Sequence, residues 1–184
     1  MKVLFISGSP RKKSNTDYLL NYMQQQIGGE IIKISDYAVE PCKSCWACLK
    51  MGTCVINDDM KTVIIPKILK ADAMVLGSPV YFNNVTAQLK AFIDRTWSLR
   101  GKLRNKIGGT VVVSRKYGAE AAIMAINSFF LKHDMIIANR GISGVAFNSD
   151  DIKDDLESLE AATKLTTRIL ELEAISDKLK RKDA

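Results

Sequence analysis

The stretch Lys2-Val3-Leu4-Phe5-Ile6-Ser7-Gly8-Ser9-Pro10-Arg11-Lys12-Lys13-Ser14-Asn15-Thr16 decides the fold. Residues 2–7 form a short apolar run of the kind a buried strand needs, and it ends directly in a loop of small hydroxyl residues and cations. Ser14 or Asn15 then supplies an N-cap for a helix over 15–27, in which Leu19, Tyr22, Met23 and Ile27 recur at inward spacing. A strand that empties through such a loop into a helix is the opening unit of a parallel α/β sheet.

The alternation continues along the chain. Apolar runs rich in Val and Ile predict further strands at 30–34, 73–77, 107–114 and 135–144. Between them, helices are expected over 59–70, 86–99 and 119–133, and a last, long one over 152–180. Pro66 lacks an N–H, so a kink or a fresh first turn is expected there. Leu156, Leu159, Leu165, Ile169, Leu172, Ile175 and Leu179 line one stripe of the last helix, whose length suits a partner subunit. The expected architecture is α/β: a doubly wound five-stranded parallel sheet of order 2-1-3-4-5 with helices on both faces.

A length of 184 residues with 47% hydrophobic and 26% charged residues predicts one domain spanning 1–184. The first residues are too briefly apolar for a signal-peptide core, and no apolar run is long enough for a membrane span. The expectation is a cytoplasmic protein with reduced thiols and no membrane contact. The net charge of +7 is dispersed apart from Arg11, Lys12 and Lys13 and a cluster at Lys178, Lys180, Arg181 and Lys182. Neither cluster has interleaved aromatics, so nucleic acid is not an expected partner. An anionic cofactor or electron donor suits the charge equally well.

The loop 7–16 has the chemistry of a phosphate cradle: backbone N–H groups at a helix start, hydroxyls, and Arg11. It lacks both G-x-x-x-x-G-K-[ST] and G-x-G-x-x-G, which favours a mononucleotide over a triphosphate or a dinucleotide. At the end of the third strand, Gly77-Ser78-Pro79-Val80-Tyr81-Phe82-Asn83-Asn84-Val85 offers a fixed backbone and two flat rings. In a 2-1-3-4-5 sheet the first and third strand ends flank the topological switch point, so both loops face one crevice. The plainer alternatives are a capped turn for the first loop and core-packing aromatics for the second.

All four cysteines, Cys42, Cys45, Cys48 and Cys54, fall in the spacing C-x2-C-x2-C-x5-C within 35–57, the one long irregular connection. Compact thiolate spacing points to a [4Fe-4S] cluster; a four-thiolate zinc site and unoccupied thiols are the alternatives. The ferredoxin run C-x2-C-x2-C-x3-C-P is not matched, because five residues precede the last cysteine and Val55 follows it. Trp46 and Trp97 read as packing residues, with Trp46 placed to shield a cluster, and His133 reads as a structural helix-end residue.

Gly8-Ser9-Pro10-Arg11 with Ser14-Asn15-Thr16, followed by Ser78-Pro79-Val80-Tyr81, resembles the NADPH-dependent FMN reductase family of flavodoxin-like proteins over about residues 1–145. The cysteine run followed by Asp58-Asp59-Met60 resembles its iron-sulfur flavoprotein branch, whose motif ligates a [4Fe-4S] cluster near FMN. The resemblance implies that Ser9, Arg11, Ser14, Asn15 and Thr16 hold the FMN phosphate. It implies too that Pro79, Val80, Tyr81, Phe82 and Asn83 line the isoalloxazine ring, with Ser114, Tyr117 and Gly118 approaching from the other side. Tyr117-Gly118-Ala119 stands here where the family often has a Gly-Gly pair before Glu120. The implied function is an FMN-dependent oxidoreductase that passes electrons between a small-molecule or ferredoxin-type donor and an acceptor, with Cys42, Cys45, Cys48 and Cys54 on the cluster. The alternatives are an NAD(P)H-dependent FMN or quinone reductase with a structural or empty cysteine site, and a flavin or metal sensor without turnover. A homodimer or homotetramer is expected from the last helix.

Overall fold

The computed structural model describes residues 1–183. Strand β1 (Val3–Ser7) lies between β2 (Glu30–Lys33) and β3 (Ala73–Pro79), and β4 (Ile107–Ser114) follows β3. Two short strands, β5 (Ile136–Ile137) and β6 (Ile142–Val145), share the outer edge of β4. Every pairing is parallel, and the order 2-1-3-4-5 is the expected one.

The fifth strand expected at 135–144 is therefore two pieces. Ile107 is paired with Ile136, but Val111 with Ile142, so the edge makes an excursion between them. The excursion closes on Asn139, whose Oδ1 accepts the Gly141 N–H at 2.8 Å. An apolar run read without a partner strand cannot reveal such a break, because both pieces keep the same composition.

Side chains of β1 alternate between the two faces, as strand geometry demands. Val3 and Phe5 pack with α1 (Asn15–Ile27) and α6 (Leu156–Asp183), where Leu19, Leu20, Met23, Leu165 and Ile169 are buried. Leu4 and Ile6 pack on the opposite face. There α3 (Ile65–Lys70), α4 (Ala87–Arg95) and α5 (Ala119–Lys132) contribute Ile68, Leu89, Phe92, Ile126 and Phe130. Buried apolar surface of this kind is worth about 25 cal/mol per Å2, so the two layers carry the fold.

Several boundaries move for local reasons. The segment before Pro66 is a π-helical turn, Met60–Ile64, and α3 starts afresh with the proline in its first turn, where a missing N–H costs nothing. The expected helix at 86–99 ends as α4 at Arg95 and tightens into a 3-10 turn, Thr96–Leu99. The last helix begins at Leu156 rather than at 152, because Asp155 Oδ1 accepts the Ser158 N–H (3.1 Å) and acts as a cap. Ile152 is buried in a preceding 3-10 turn. The stripe of α6 is also corrected: Ala162, Leu165, Ile169 and Leu172 face the core, whereas Leu156 and Ile175 are exposed. Within 35–57 a short helix, α2 (Ala47–Met51), was not expected. No helix among the described residues is long and apolar enough to cross a membrane.

Candidate functional site

The carboxyl ends of β1, β3 and β4 open onto a cleft of about 280 Å3. Ser9, Arg11, Ser14, Asn15 and Thr16 come to it from the first loop, Pro79, Val80, Tyr81, Phe82 and Asn83 from the second, and Ser114 and Tyr117 from the third. The sheet order brings these segments together across long separations in sequence, at the switch point where such folds bind ligands.

The first loop is rigidly seated. Gly8 N–H donates to the Gly77 carbonyl (2.8 Å), and the Thr86 hydroxyl donates to the Gly8 carbonyl (2.7 Å). A Cβ at Gly8 would lie 2.7 Å from Leu89 Cβ, so only glycine lets the loop approach α4 this closely. Ser14 Oγ accepts the Asp17 N–H at 3.1 Å and caps α1. Beneath the loop, the Ser7 hydroxyl donates to Asp17, whose carboxylate is offset by Lys33 Nζ at 2.5 Å. Lys33 also donates to the Arg11 carbonyl and so ties β2 to the loop.

Thr16 Oγ1 is buried and has no hydrogen-bond partner. An orphaned hydroxyl in a cradle beside a helix start is the expected signature of a site built for an anion. Asn15 behaves differently from its neighbours. Its Nδ2 donates to the Asn148 carbonyl (2.7 Å) and its Oδ1 accepts the Asp150 N–H (2.9 Å), so the side chain braces the segment after β6. Its backbone N–H and the second Nδ2 hydrogen remain for a ligand.

The second loop ends in a tight turn in which Tyr81 and Asn84 exchange backbone hydrogen bonds of 2.9 and 3.0 Å. Phe82 (φ 47°) and Asn83 (φ 59°) both occupy the left-handed region. That conformation is costly for phenylalanine, which is also fully exposed here. The core-packing reading of this ring is thus overturned: Tyr81 and Phe82 stand at the cleft rim.

Gly118 is not among the residues that line the cleft; it packs against two that do, with φ 78° and space for a Cβ blocked by Asn83 Cα at 2.8 Å and Val80 Cγ1 at 2.9 Å. Its lack of a side chain lets the third loop dock on the second. Val113 and Ala146 line the cleft without having been expected, and so does Arg115, which lies in the loop 114–120 expected to approach the ring but was not singled out there. Ala146 follows β6, and only the unforeseen split of the edge strand brings it there. Arg115 donates to the Phe147 carbonyl at 2.9 Å, and its charge in the loop 114–120 was the available signal.

The cysteine segment borders a second cavity of about 600 Å3 that shares no lining residue with the cleft. Cys42, Cys45, Cys48 and Cys54 all lie on its wall, with Trp46, Ile93, Arg95, Trp97, Phe129 and His133. Cys42 and Cys45 are exposed. Ser44 (φ 50°) and Trp46 (φ 59°) are left-handed, and the Ser44 N–H donates to Cys42 Sγ at 3.5 Å. Backbone N–H groups turned toward sulfur in this way recur around anionic and iron-sulfur sites. The donor type and the shared wall fit a thiolate-bound group, yet no three His, Cys, Asp or Glu among the described residues are gathered tightly enough to hold a metal ion. Trp46 is 58% exposed and meets Trp97 edge-on, with centroids 6.4 Å apart.

His133 is buried at the end of α5 and stacks edge-on with Phe129 at 5.0 Å. The Thr96 hydroxyl donates to the Ile93 carbonyl (2.6 Å), so it accepts from His133 Nε2 (3.0 Å), which assigns the ring proton to Nε2. Nδ1 is left without a partner. Burial pushes the His133 pKa below its ordinary value. Asp58 is shifted down as well, but in favour of its charged form: burial would raise its carboxyl, yet hydrogen bonds from Arg95 and from the Glu40 N–H hold it below the usual carboxylate range.

Fold and cleft together define a flavodoxin-like, mononucleotide-binding class. The NADPH-dependent FMN reductase family model matches residues 1–150, and the chain belongs to that family. It is thereby an FMN flavoprotein of the oxidoreductase type. It is similar to an iron-sulfur flavoprotein of Methanocaldococcus jannaschii, 42% identical, covering 94% of this chain and 97% of that one. An iron-sulfur flavoprotein of Methanosarcina thermophila is 35% identical over 94% and 96% of the two chains. A flavodoxin from the domain Archaea superposes with a TM-score of 0.63 at 16% identity, covering 95% of this chain and 99% of that one, which supports the fold alone.

Proposed function

We propose that this protein is an FMN-dependent electron-transfer oxidoreductase that carries a [4Fe-4S] cluster on Cys42, Cys45, Cys48 and Cys54. The observation that carries the reading is the pairing of two built cavities: a switch-point cleft with the orphaned Thr16 hydroxyl, and a separate cavity walled by all four cysteines. The relatives' names support the cluster. Bound there, flavin would supply exchange of one or two electrons and the cluster exchange of one, joining one-electron donors to two-electron acceptors.

The chain's own residues bind and orient. Ser9, Arg11, Ser14 and Thr16, with the Asn15 N–H, hold the FMN phosphate at the start of α1. Pro79, Val80, Tyr81, Phe82 and Asn83 form one wall for the ring, and Ser114 and Tyr117 the other. The partner is a small-molecule or ferredoxin-type donor or acceptor, with NAD(P)H one candidate. Exposed Leu156, Leu170 and Ile175 on α6 favour a homodimer or homotetramer, which sedimentation velocity tests.

A second reading, an NAD(P)H-dependent FMN or quinone reductase with an empty cysteine site, is favoured by the ungathered thiols. Anaerobic purification with flavin, iron and acid-labile sulfide analysis and EPR separates the two. Flavin with no iron or sulfide overturns the first; hydride oxidation that survives loss of the cysteines supports the second. Absence of reduction by NADH, NADPH and reduced ferredoxin would instead favour a sensor.

A further inference from the structure

A buried ion pair closes the neck of the cysteine loop just inside a second tie, in which the Ala38 N–H donates to Asp59 Oδ2 (2.7 Å) and the Asp59 N–H to the Ala38 carbonyl (3.1 Å). Asp58 accepts from Arg95 Nη1 at 2.6 Å and Nη2 at 2.8 Å, and its carboxylate also takes the Glu40 N–H (3.0 Å) and the Lys61 N–H (3.3 Å). Arg95 Nη1 donates further to the Glu40 carbonyl (2.8 Å), and Nη2 lies 3.5 Å from the Ile56 carbonyl. Glu40 precedes the first cysteine and Ile56 follows the last, so a single guanidinium holds both ends of the loop. The two side chains are almost wholly buried, at 0% and 4% exposed. Arg95 lines the cysteine cavity beside Cys54, and its Nε is buried and unpartnered.

The same helix reaches the other site. Thr86, the N-cap of α4, donates its hydroxyl to the Gly8 carbonyl of the phosphate loop, and Arg95 is the last residue of α4. An α-helix rises about 1.5 Å per residue and does not stretch, so its two ends keep a fixed separation. We propose that Arg95 is a positioning residue that presents the cysteines at a fixed place relative to the flavin cleft, with α4 as the strut between the two loops. The inference rests on the reading of the cysteine loop as a cofactor loop. Its guanidinium fork satisfies a carboxylate and two carbonyls at once, which one lysine ammonium cannot reproduce in the same geometry.

Amide hydrogen exchange on the full, reduced, metal-free chain tests the clamp directly. Arg95→Lys is expected to speed exchange at 40–58 by about tenfold while amides of β1, β3 and β4 stay at wild-type rates. Asp58→Asn should give the same pattern through the other partner. FMN affinity, read by fluorescence quenching, should change by less than about twofold, since neither residue lines the cleft. Anaerobic reconstitution with ferrous iron and sulfide should be slower in both variants, read from the growth of cluster absorbance. Wild-type exchange at 40–58 in Arg95→Lys, or acceleration spread evenly over the sheet, would overturn the proposal. Faster exchange at 40–58 with no iron taken up by the wild-type protein would uphold the clamp and sink the cluster reading.

Discussion

The loop after β1 and the cysteine loop solve the same problem, holding a largely irregular segment, by different means. Residues 8–16 are seated along their length: Gly8 is bonded to β3 and to Thr86, Ser14 caps α1, and Lys33 grips the Arg11 carbonyl. Residues 40–56 are fastened mainly at the neck, and Cys42, Cys45 and Trp46 between are exposed. The first site is finished before a ligand arrives, whereas the second is held at its neck and, between, by the Trp46–Trp97 contact and by Lys102 Nζ, which donates to the Gly52 carbonyl at 3.2 Å. Preorganisation of this unequal kind means that loss of ligand should cost the two regions different amounts of order.

The sharpest way to break that contrast is to remove a thiol. Replacing any one of Cys42, Cys45, Cys48 and Cys54 by serine should abolish cluster content while FMN binds within about twofold of wild type, because the two cavities share no residue. Iron analysis beside flavin titration checks it, and a parallel loss of flavin would mean the sites are not independent. Next in size is Gly8→Ala. The added Cβ meets Leu89 and Thr86, so about 1–3 kcal/mol of stability should go, with FMN affinity falling at least about tenfold. Urea denaturation and flavin titration report the two effects.

Much of this was legible beforehand. The strand-to-helix junction at 2–16 and the apolar runs declare the alternating strands and helices, because each strand carries its own hydrophobic signal, whereas the order 2-1-3-4-5 came with the flavodoxin-like arrangement. Twelve of the thirteen expected cleft residues line one cavity. Gly118, the thirteenth, packs behind Val80 and Asn83, and glycine marks a close approach without saying whether ligand or chain approaches. Ala146 was invisible because its position depends on how the edge strand breaks. The role of Arg95 was hidden for a deeper reason: a buried arginine on an amphipathic helix reads as a surface residue until its partner, Asp58, is known.

Thr16→Val sharpens the comparison by setting stability against binding. The buried hydroxyl has no partner within the chain, so its removal should stabilise the flavin-free protein by about 1 kcal/mol and weaken FMN by about tenfold. Thermal melts with and without FMN measure both signs. If both fall, the hydroxyl serves the fold and not the ligand.

The smallest effect lies on the wall of the cysteine cavity. His133 is the one histidine of the chain and is buried neutral, with its folded pKa lowered from the ordinary 6.5 by burial. Below about pH 6.5 the unfolded chain takes up this proton before the folded one does, so stability declines as pH falls through that value towards the lower folded one. Asp58 adds nothing to that decline, because its depressed carboxyl stays ionised until much lower pH and its contribution is lost only there. His133→Gln keeps a donor for Thr96 but does not titrate, so its melting temperature should run flat between pH 7 and pH 6, where the wild type slopes gently downward. An equal slope in the two proteins would place the proton uptake elsewhere, and would remove the reason to treat this wall as a finished scaffold around an unfinished loop.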